Sequence, residues 1–510
     1  MQTLKGLLQK IYLSHTVFSY LVLVKAPSLT IGHSGRWPFS FPVTLTGREL
    51  TKHKHIMGTS GRGKSKFLAL CATDLILQGV PCAIIDPHSD LAHDLLRLLK
   101  ERGFYNTPDA FERVLYVDFS NVSRFIPFNV LQQSQFDTYT IARNIVQAAK
   151  RAWPELGITF DNLMFASAFV LSQNGLTLTE TMPLLNRKDF RERLLQNVTD
   201  FQIVSYFHDE VDTWSKNALD DNMGSTKRRM FELCTMPPLR YSLGQRQNVL
   251  DFNTFLQRGI SVIYNLGGLD ESTKGILGCL LSVGHEQATL SRSKVREMDR
   301  LPYHIFIDEF QMFLDRSEKA FMTFLSEARK YNVTQWLAHQ TLSQTSERFQ
   351  GALQNAQPIA FGLGRSDSLI ASQIFARYDP YRIKHMIPDD EQAQRTHPQF
   401  FALQEQFEDM ARSIEDLPVQ WAYIKLEKKR FLRRSSTETE TMRFRTPHIP
   451  PHKTTWEELQ ELEKHYAQTL LRSRSEIEQE VGAIVSNSSA QDEDGHIGTQ
   501  EGMAIGRFEE

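Results

Sequence analysis

Eight residues, GTSGRGKS at positions 58–65, have the types and spacing to hold a phosphate. Gly58, Gly63, Lys64 and Ser65 fill every fixed position of the pattern GxxxxGKS/T, and Thr59, Ser60, Gly61 and Arg62 lie between them. Glycines let backbone N–H groups close around an anion with no Cβ in the way, and the helix that must follow adds free amides and a positive dipole end. In such a loop Lys64 reaches the β- and γ-phosphates as a mobile charge, while the Ser65 hydroxyl coordinates Mg2+ beside them. The alternative is a glycine-rich turn that meets the pattern by chance, and the flanking elements decide between the two.

A second signal is independent. The run YHIFIDEFQMFL places Ile305, Phe306 and Ile307 on a buried strand that ends in Asp308 and Glu309. An acid at such a strand end binds Mg2+ in P-loop proteins, and the adjacent Glu309 is placed to take a proton from an attacking water as general base. An ordinary strand with a charged exit reads the same way, so this pair gains its meaning from the phosphate loop upstream.

These residues need a strand, a loop and a helix, then a parallel sheet. His55, Ile56 and Met57 offer a short polar strand before the loop, tolerable where neighbouring strands supply the apolar cover. After Lys64, the residues Phe67, Leu68, Cys71, Leu75 and Ile76 recur at helical spacing, with Gly79 where a helix ends. Further strands are expected at VPCAII, RVLYVDFS, GISVIYNL, VTQWLAHQ and PIAFGLG, alternating with helices, which implies an α/β fold with a mostly parallel central sheet covered on both faces. Residues 1–48 read as a small β-rich lead-in, 49–132 and 246–425 as the α/β domain, and 133–245 as an inserted all-α lobe. The segment 426–510 reads as a basic stretch, a polar helix from a Thr455/Glu458 capping box to about 482, and a tail without apolar periodicity. That helix suits a solvated or partner-binding element.

Composition bounds the rest. A chain of 510 residues, 41% hydrophobic, can bury a sizeable core, and its net charge of -2 gives no global pull towards nucleic acid. Any DNA contact must come from local clusters: Lys227, Arg228 and Arg229 form one, and Lys428, Lys429, Arg430, Arg433 and Arg434 another, each equally readable as a solvated face. The four cysteines lie far apart, without metal-ligand spacing, which suits a reducing compartment. The apolar stretch at 12–24 contains a histidine and falls short of a membrane span, so a strand or amphipathic packing is expected there.

Taken in order, GTSGRGKS, IIDPHSDL, FIDEFQMFL and SEARKYNVTQWLAHQTLSQ, with a helical insert between the second and third, resemble the TraG/TraD-type coupling proteins of conjugation and their HerA/FtsK-like relatives. The resemblance covers roughly residues 45–385, and the insert phrases LTLTETMPLLNRKDFRERLL and PPLRYSLGQ look like that family's all-α lobe. It implies a RecA-like P-loop NTPase that binds ATP and Mg2+ between the subunits of a ring, expected to be hexameric, and moves DNA through the centre. By that likeness Lys64 and Ser65 are the Walker A pair, Asp308 and Glu309 the Walker B pair, and Gln340 the residue that senses the γ-phosphate. Arg329, eleven positions before Gln340, matches an arginine finger supplied to a neighbouring subunit; the plainer reading is a helix-end cation paired with Glu327 or the helix dipole. For Asp86 both a nucleotide-positioning role and a structural strand-end turn stay open, and His339 reads as a packed histidine.

Membrane-anchored coupling proteins carry N-terminal transmembrane helices, and no such helix is read here, which points to a cytoplasmic protein held at the inner face of the membrane through partners. A relaxase, a secretion channel or a nuclease is the expected partner. Three functions compete: a DNA translocase of the coupling type, a HerA-like duplex motor for repair or defence, and a nucleotide-dependent scaffold that moves nothing.

Overall fold

The computed structural model describes residues 27–36, 39–133, 135–153, 155–341, 345–388, 396–427 and 439–480. The apolar stretch at 12–24, the basic cluster at 428–434 and the tail beyond 480 lie outside them. One compact unit takes the described residues of 1–120, 146–156 and 251–470; the other takes those of 121–145, 157–250 and 471–510.

The first unit is built on a large sheet. Its strands are β1 (Ser28–Arg36), β2 (Phe39–Thr46), β3 (Lys54–Met57), β4 (Cys82–Asp86), β5 (Val114–Asp118), β7 (Ser261–Asn265), β8 (Tyr303–Ile307), β9 (Val333–His339), β10 (Gln357–Ala360), β13 (Trp421–Glu427) and β14 (Thr439–Arg445). They lie in the order β2-β1-β14-β13-β10-β3-β9-β8-β4-β7-β5, and β11 (Ile383–Pro388) and β12 (Thr396–Phe400) form a separate antiparallel pair. From β10 to β5 every pairing is parallel, and β13, β14, β1 and β2 continue the sheet antiparallel. The runs CAIID, SVIYN, YHIFI and VTQWLAH are buried along their whole length, as strands covered by helices on both faces must be. The α/β, mostly parallel architecture expected from the alternating pattern is the one found.

β3 is polar in sequence and central in the sheet. All four of its residues are buried, and Lys54 and His55 find polar partners inside the protein, as does Nδ1 of the preceding His53. Lys54 donates to the Glu49 carbonyl at 2.7 Å, the His53 ring accepts from the Gln335 N–H at 3.0 Å, and the His55 and His339 rings stack with centroids 4.9 Å apart. Burial, opposed by the Glu49 charge, lowers the Lys54 ammonium to about 7.

The sheet continues past residue 425. β14 pairs with both β13 and β1, and the helix expected to run to about 482 is Trp456–Leu470. Its capping box is present, with Glu458 N–H donating to Thr455 Oγ1 at 3.2 Å and Thr455 N–H to Glu458 Oε2 at 2.9 Å. It is not a solvated element. Leu459, Leu462, Tyr466 and Leu470 make one buried stripe, and the Tyr466 hydroxyl donates to the Val114 carbonyl at 2.9 Å. Four apolar positions among many charges were too sparse to announce that stripe in the sequence.

The second unit is mainly helical, with Ile158–Gln173 and Lys216–Thr235 as its longest helices. Phe160, Leu163, Met164, Phe207, Met223 and Met230 are buried in it. A short antiparallel pair joins β6 (Arg124–Phe125) to β15 (Arg472–Ser473), and Ile477 packs with Phe125 and Tyr241. No helix among the described residues is long and apolar enough to cross a membrane.

Three histidines of the first unit are held neutral. Burial drives His285, His304 and His53 each to about 3, with the Lys54 charge adding at the latter two. The unfolded chain takes a proton on each below about 6.5, whereas the folded chain does not until near 3, so their contribution is complete above 6.5 and falls as pH drops. Denaturant unfolding at pH 5 should show stability lower than at pH 7.5 by roughly 2 kcal/mol per histidine; an unchanged midpoint would mean that these rings are solvated.

Candidate active site

The phosphate loop leaves β3 at Met57 and enters the helix Lys64–Leu77. Two glycines make that path possible. A Cβ on Gly58 would stand 2.7 Å from Phe361 Cβ, and Gly63 has φ +98°, which L side chains rarely adopt. The loop is tied to the segment after β10: Thr59 N–H donates to the Gly362 carbonyl at 2.9 Å, and its hydroxyl reaches the same oxygen at 3.1 Å. Arg62 donates to the Leu417 carbonyl at 2.9 Å, so its guanidinium anchors the loop. Ser60 and Gly61 are exposed. Gly63 gives the helix no side-chain cap, and the first-turn amides stay available to an anion.

β9 lies beside β3, and β8 beside β9, so Asp308 at the end of β8 comes level with the loop. The Ser65 hydroxyl donates to Asp308 Oδ2 at 2.6 Å. Lys64 is buried and donates to the Gly58 carbonyl at 2.7 Å; burial lowers its pKa while the Glu309 and Asp308 charges oppose the shift. Burial, with the charges of Asp86 and Glu309 adding, pushes Asp308 up to about 6 against the Ser65 hydrogen bond and the Lys64 charge. A serine hydroxyl and a carboxylate converging so closely are hard oxygen donors of the kind Mg2+ takes, an ion that fills its remaining positions with water and phosphate oxygens.

Glu309 has φ +47°, a strained setting for a residue with a side chain. Its carboxylate is held from two sides, by Gln340 Nε2 donating to Oε1 at 2.8 Å and by Gln311 Nε2 donating to Oε2. Gln340 follows β9 directly. One residue earlier, His339 Nδ1 lies 3.0 Å from the Thr341 carbonyl and its Nε2 2.7 Å from His55 Nε2. A carbonyl only accepts, which assigns the proton of His339 to Nδ1 and makes His55 the donor between the rings. Asp86 has both oxygens on backbone amides, accepting from His88 N–H at 2.9 Å and Ala92 N–H at 2.8 Å. It therefore shapes the turn into the helix Asp90–Glu101 and acts on the site through its charge.

Lys64, Ser65, Asp308, Glu309 and Gln340 thus converge. Arg329 does not join them. It is exposed on the turn Ala328–Tyr331 before β9, where its charge bears on His53, Lys54 and Glu427, at the opposite end of the sheet from the loop. Glu327 pairs with Lys330 at 2.8 Å instead. Lys227, Arg228 and Arg229 lie on the helix Lys216–Thr235 of the other unit, where Arg228 is exposed and Arg229 pairs with Glu232 at 3.1 Å. Sequence reasoning missed Gln311, the His55–His339 contact and the Phe361–Gly362 anchor. Only Gln311, two residues after Glu309, left a local signal.

Residues 33–277 match a family model described as "Helicase HerA, central domain". No curated protein matches the sequence. Among solved structures, VirB4 of Thermoanaerobacter pseudethanolicus superposes with TM-score 0.52 at 11% identity, covering 84% of this chain and 98% of that one, a likeness of fold. The bacterial conjugative coupling protein TrwB in its unbound monoclinic form gives TM-score 0.49 at 13% identity over 79% of this chain and 87% of its own. TrwB in complex with ADP and Mg2+ gives 0.47 at 13% identity, with the same coverage. The family match spans the phosphate loop together with β3, β4, β5 and β7 of the parallel sheet, and it makes this part of the chain similar to the central domain of the HerA-type helicases.

Proposed function

We propose that this chain hydrolyses ATP and couples hydrolysis to movement of DNA, as a ring-forming ATPase of the coupling-protein kind. The observation that supports this most is the convergence of Lys64, Ser65, Asp308, Glu309 and Gln340 at one edge of the sheet. Lys64 and the first-turn amides hold the β- and γ-phosphates; Ser65 and Asp308 hold Mg2+. Bound there, Mg2+ neutralises charge on the phosphate oxygens. Glu309 orients a water and takes its proton as the water oxygen bonds to the γ-phosphorus and the bond to the β-phosphate oxygen breaks. Gln340, bonded to Glu309, positions that carboxylate and reads the γ-phosphate.

Arg329 stands at the opposite end of the sheet from its own loop, so a phosphate it meets belongs to a neighbouring subunit. That supports an in-trans finger within a ring, expected to be hexameric. Lys227 and Arg228, with Arg229 partly committed to Glu232, are the proposed DNA contact, and a relaxase, secretion-channel or nuclease partner completes the system. The HerA family match supports a second reading, a duplex motor that works with a nuclease. A scaffold without turnover would have no use for a strained, doubly held Glu309.

ATP-dependent displacement of a third strand from a duplex track tests movement directly; displacement that is equal with and without ATP would contradict it. Lys64→Ala should abolish Mg-ATP binding in a calorimetric titration. Glu309→Gln should keep binding and lower kcat by about a hundredfold or more, and unchanged turnover would remove it as the base. Mixing Arg329→Ala subunits into wild type should lower activity more steeply than dilution; a proportional decline would refute the in-trans role.

A further inference from the structure

A cavity of about 570 Å3 opens at the phosphate-loop edge of the sheet, with His33, Trp421, Arg443, Arg445, Thr446 and His448 among its walls. Its place follows from register. β13 runs antiparallel to β10, so Trp421, at the start of β13, stands where β10 and β3 end; Arg445 is opposite Trp421, and His33 opposite Arg445. Gln420, just before Trp421, is the wall shared with the loop. On one side its N–H donates to the Arg62 carbonyl at 3.3 Å, and its Cγ lies 3.9 Å from where a Gly63 Cβ would be. On the other side its carbonyl accepts from Thr446 N–H at 2.8 Å, and its side-chain amide is 3.4 Å from His448 Nδ1.

The direction is as informative as the distance. Asp308 and Glu309, which mark the γ-phosphate end, follow β8, two strands from β3 on one side; the cavity lies at β13 and β14 on the other. A nucleotide whose terminal phosphate points to Asp308 therefore carries its base towards the cavity. The chemistry suits a base. The Arg443 guanidinium stands 4.6 Å from the Trp421 ring centroid, a cation layered on an aromatic that offers a stacking surface. Neither Arg443 nor Arg445 has a carboxylate partner among the described residues, and no carboxylate lines the cavity. Their N–H groups are free to meet the ring nitrogens or carbonyl oxygen of a purine, as guanidinium donors do elsewhere.

We infer that this cavity binds the purine base of the P-loop nucleotide, with Trp421 and Arg443 as the stacking pair and Arg445 as the donor to its edge. The inference rests on the phosphate loop binding a nucleotide. It makes β13, β14 and β1, which lie outside the parallel part of the sheet, walls of the nucleotide site.

Calorimetric titration of the full chain with Mg-ATP and with magnesium tripolyphosphate, which has the phosphates and no nucleoside, separates the two halves of the site. Trp421→Ala should weaken ATP binding about tenfold or more, the scale of a lost stacking contact, and leave tripolyphosphate unchanged. Trp421→Phe should recover most of the loss. Retained tripolyphosphate binding also reports that the variant is folded. If Trp421→Ala binds ATP as wild type does, or loses ATP and tripolyphosphate equally, the base site is overturned and the loop assignment stands. If Trp421→Ala loses a short single-stranded oligonucleotide and keeps ATP, the cavity is a nucleic-acid contact and the inference fails. If wild type binds neither probe, the phosphate-loop reading itself fails and takes this one with it.

Discussion

The Ser65 hydroxyl and the Asp308 carboxylate, 243 positions apart in sequence, meet at 2.6 Å, and the site exists only because the sheet makes them meet. The order β3-β9-β8 sets that distance, and every crossover between those strands has to respect it. The contact brings a cost with it. Lys64, Asp86, Asp308 and Glu309 are all buried, one cation against three carboxylates, in surroundings that penalise charge. The upward shift of Asp308 and the downward shift of Lys64 share a first cause in burial, with each charge partly relieving the other. Backbone amides on Asp86 and side-chain amides on Glu309 offset part of the rest. The remaining excess of negative charge is what a divalent cation would neutralise, so the electrostatics of the fold and the chemistry proposed for it point the same way.

The polar interior has a second consequence. β3 ends in the phosphate loop and β9 ends in Gln340, and the two strands are joined by backbone pairing and by the buried His55–His339 contact. Burial lowers His339 to about 4 and His55 well below the ordinary histidine range, so the pair stays neutral and its single donor–acceptor order is kept. The role proposed for Gln340 needs a fixed distance from the loop, and this contact ties β9 to β3 from inside the sheet.

Much of this is legible in the sequence. The phosphate loop is local: eight residues carry both its pattern and its chemistry, and the helix after Lys64 repeats apolar residues at the right spacing. Asp308 and Glu309 were equally plain, because an apolar run ending in two acids needs no distant partner to be seen. What stayed hidden depends on pairing across the sheet. The antiparallel strands β13 and β14 are half-exposed and charged, and nothing in their sequence says that they extend a parallel sheet. The helix Trp456–Leu470 hid its buried stripe among glutamates, and Gln420 carries no sign that it borders the loop. The domain edges expected at 133, 245 and 425 follow the change from alternating strands and helices to helices alone, whereas the compact units follow contacts: residues 121–132, 246–250 and 471–480 fall in the helical unit, and 146–156 and the described residues of 426–470 in the unit of the large sheet.

The most direct measurement is steady-state ATP hydrolysis by the full chain without DNA, with single-stranded DNA and with duplex DNA, using Glu309→Gln as the blank. A motor whose hydrolysis is coupled to its track should turn over faster with one form of DNA, with every rate well above the blank. A rate that is indifferent to both forms of DNA, or no greater than that of Glu309→Gln, would contradict the account.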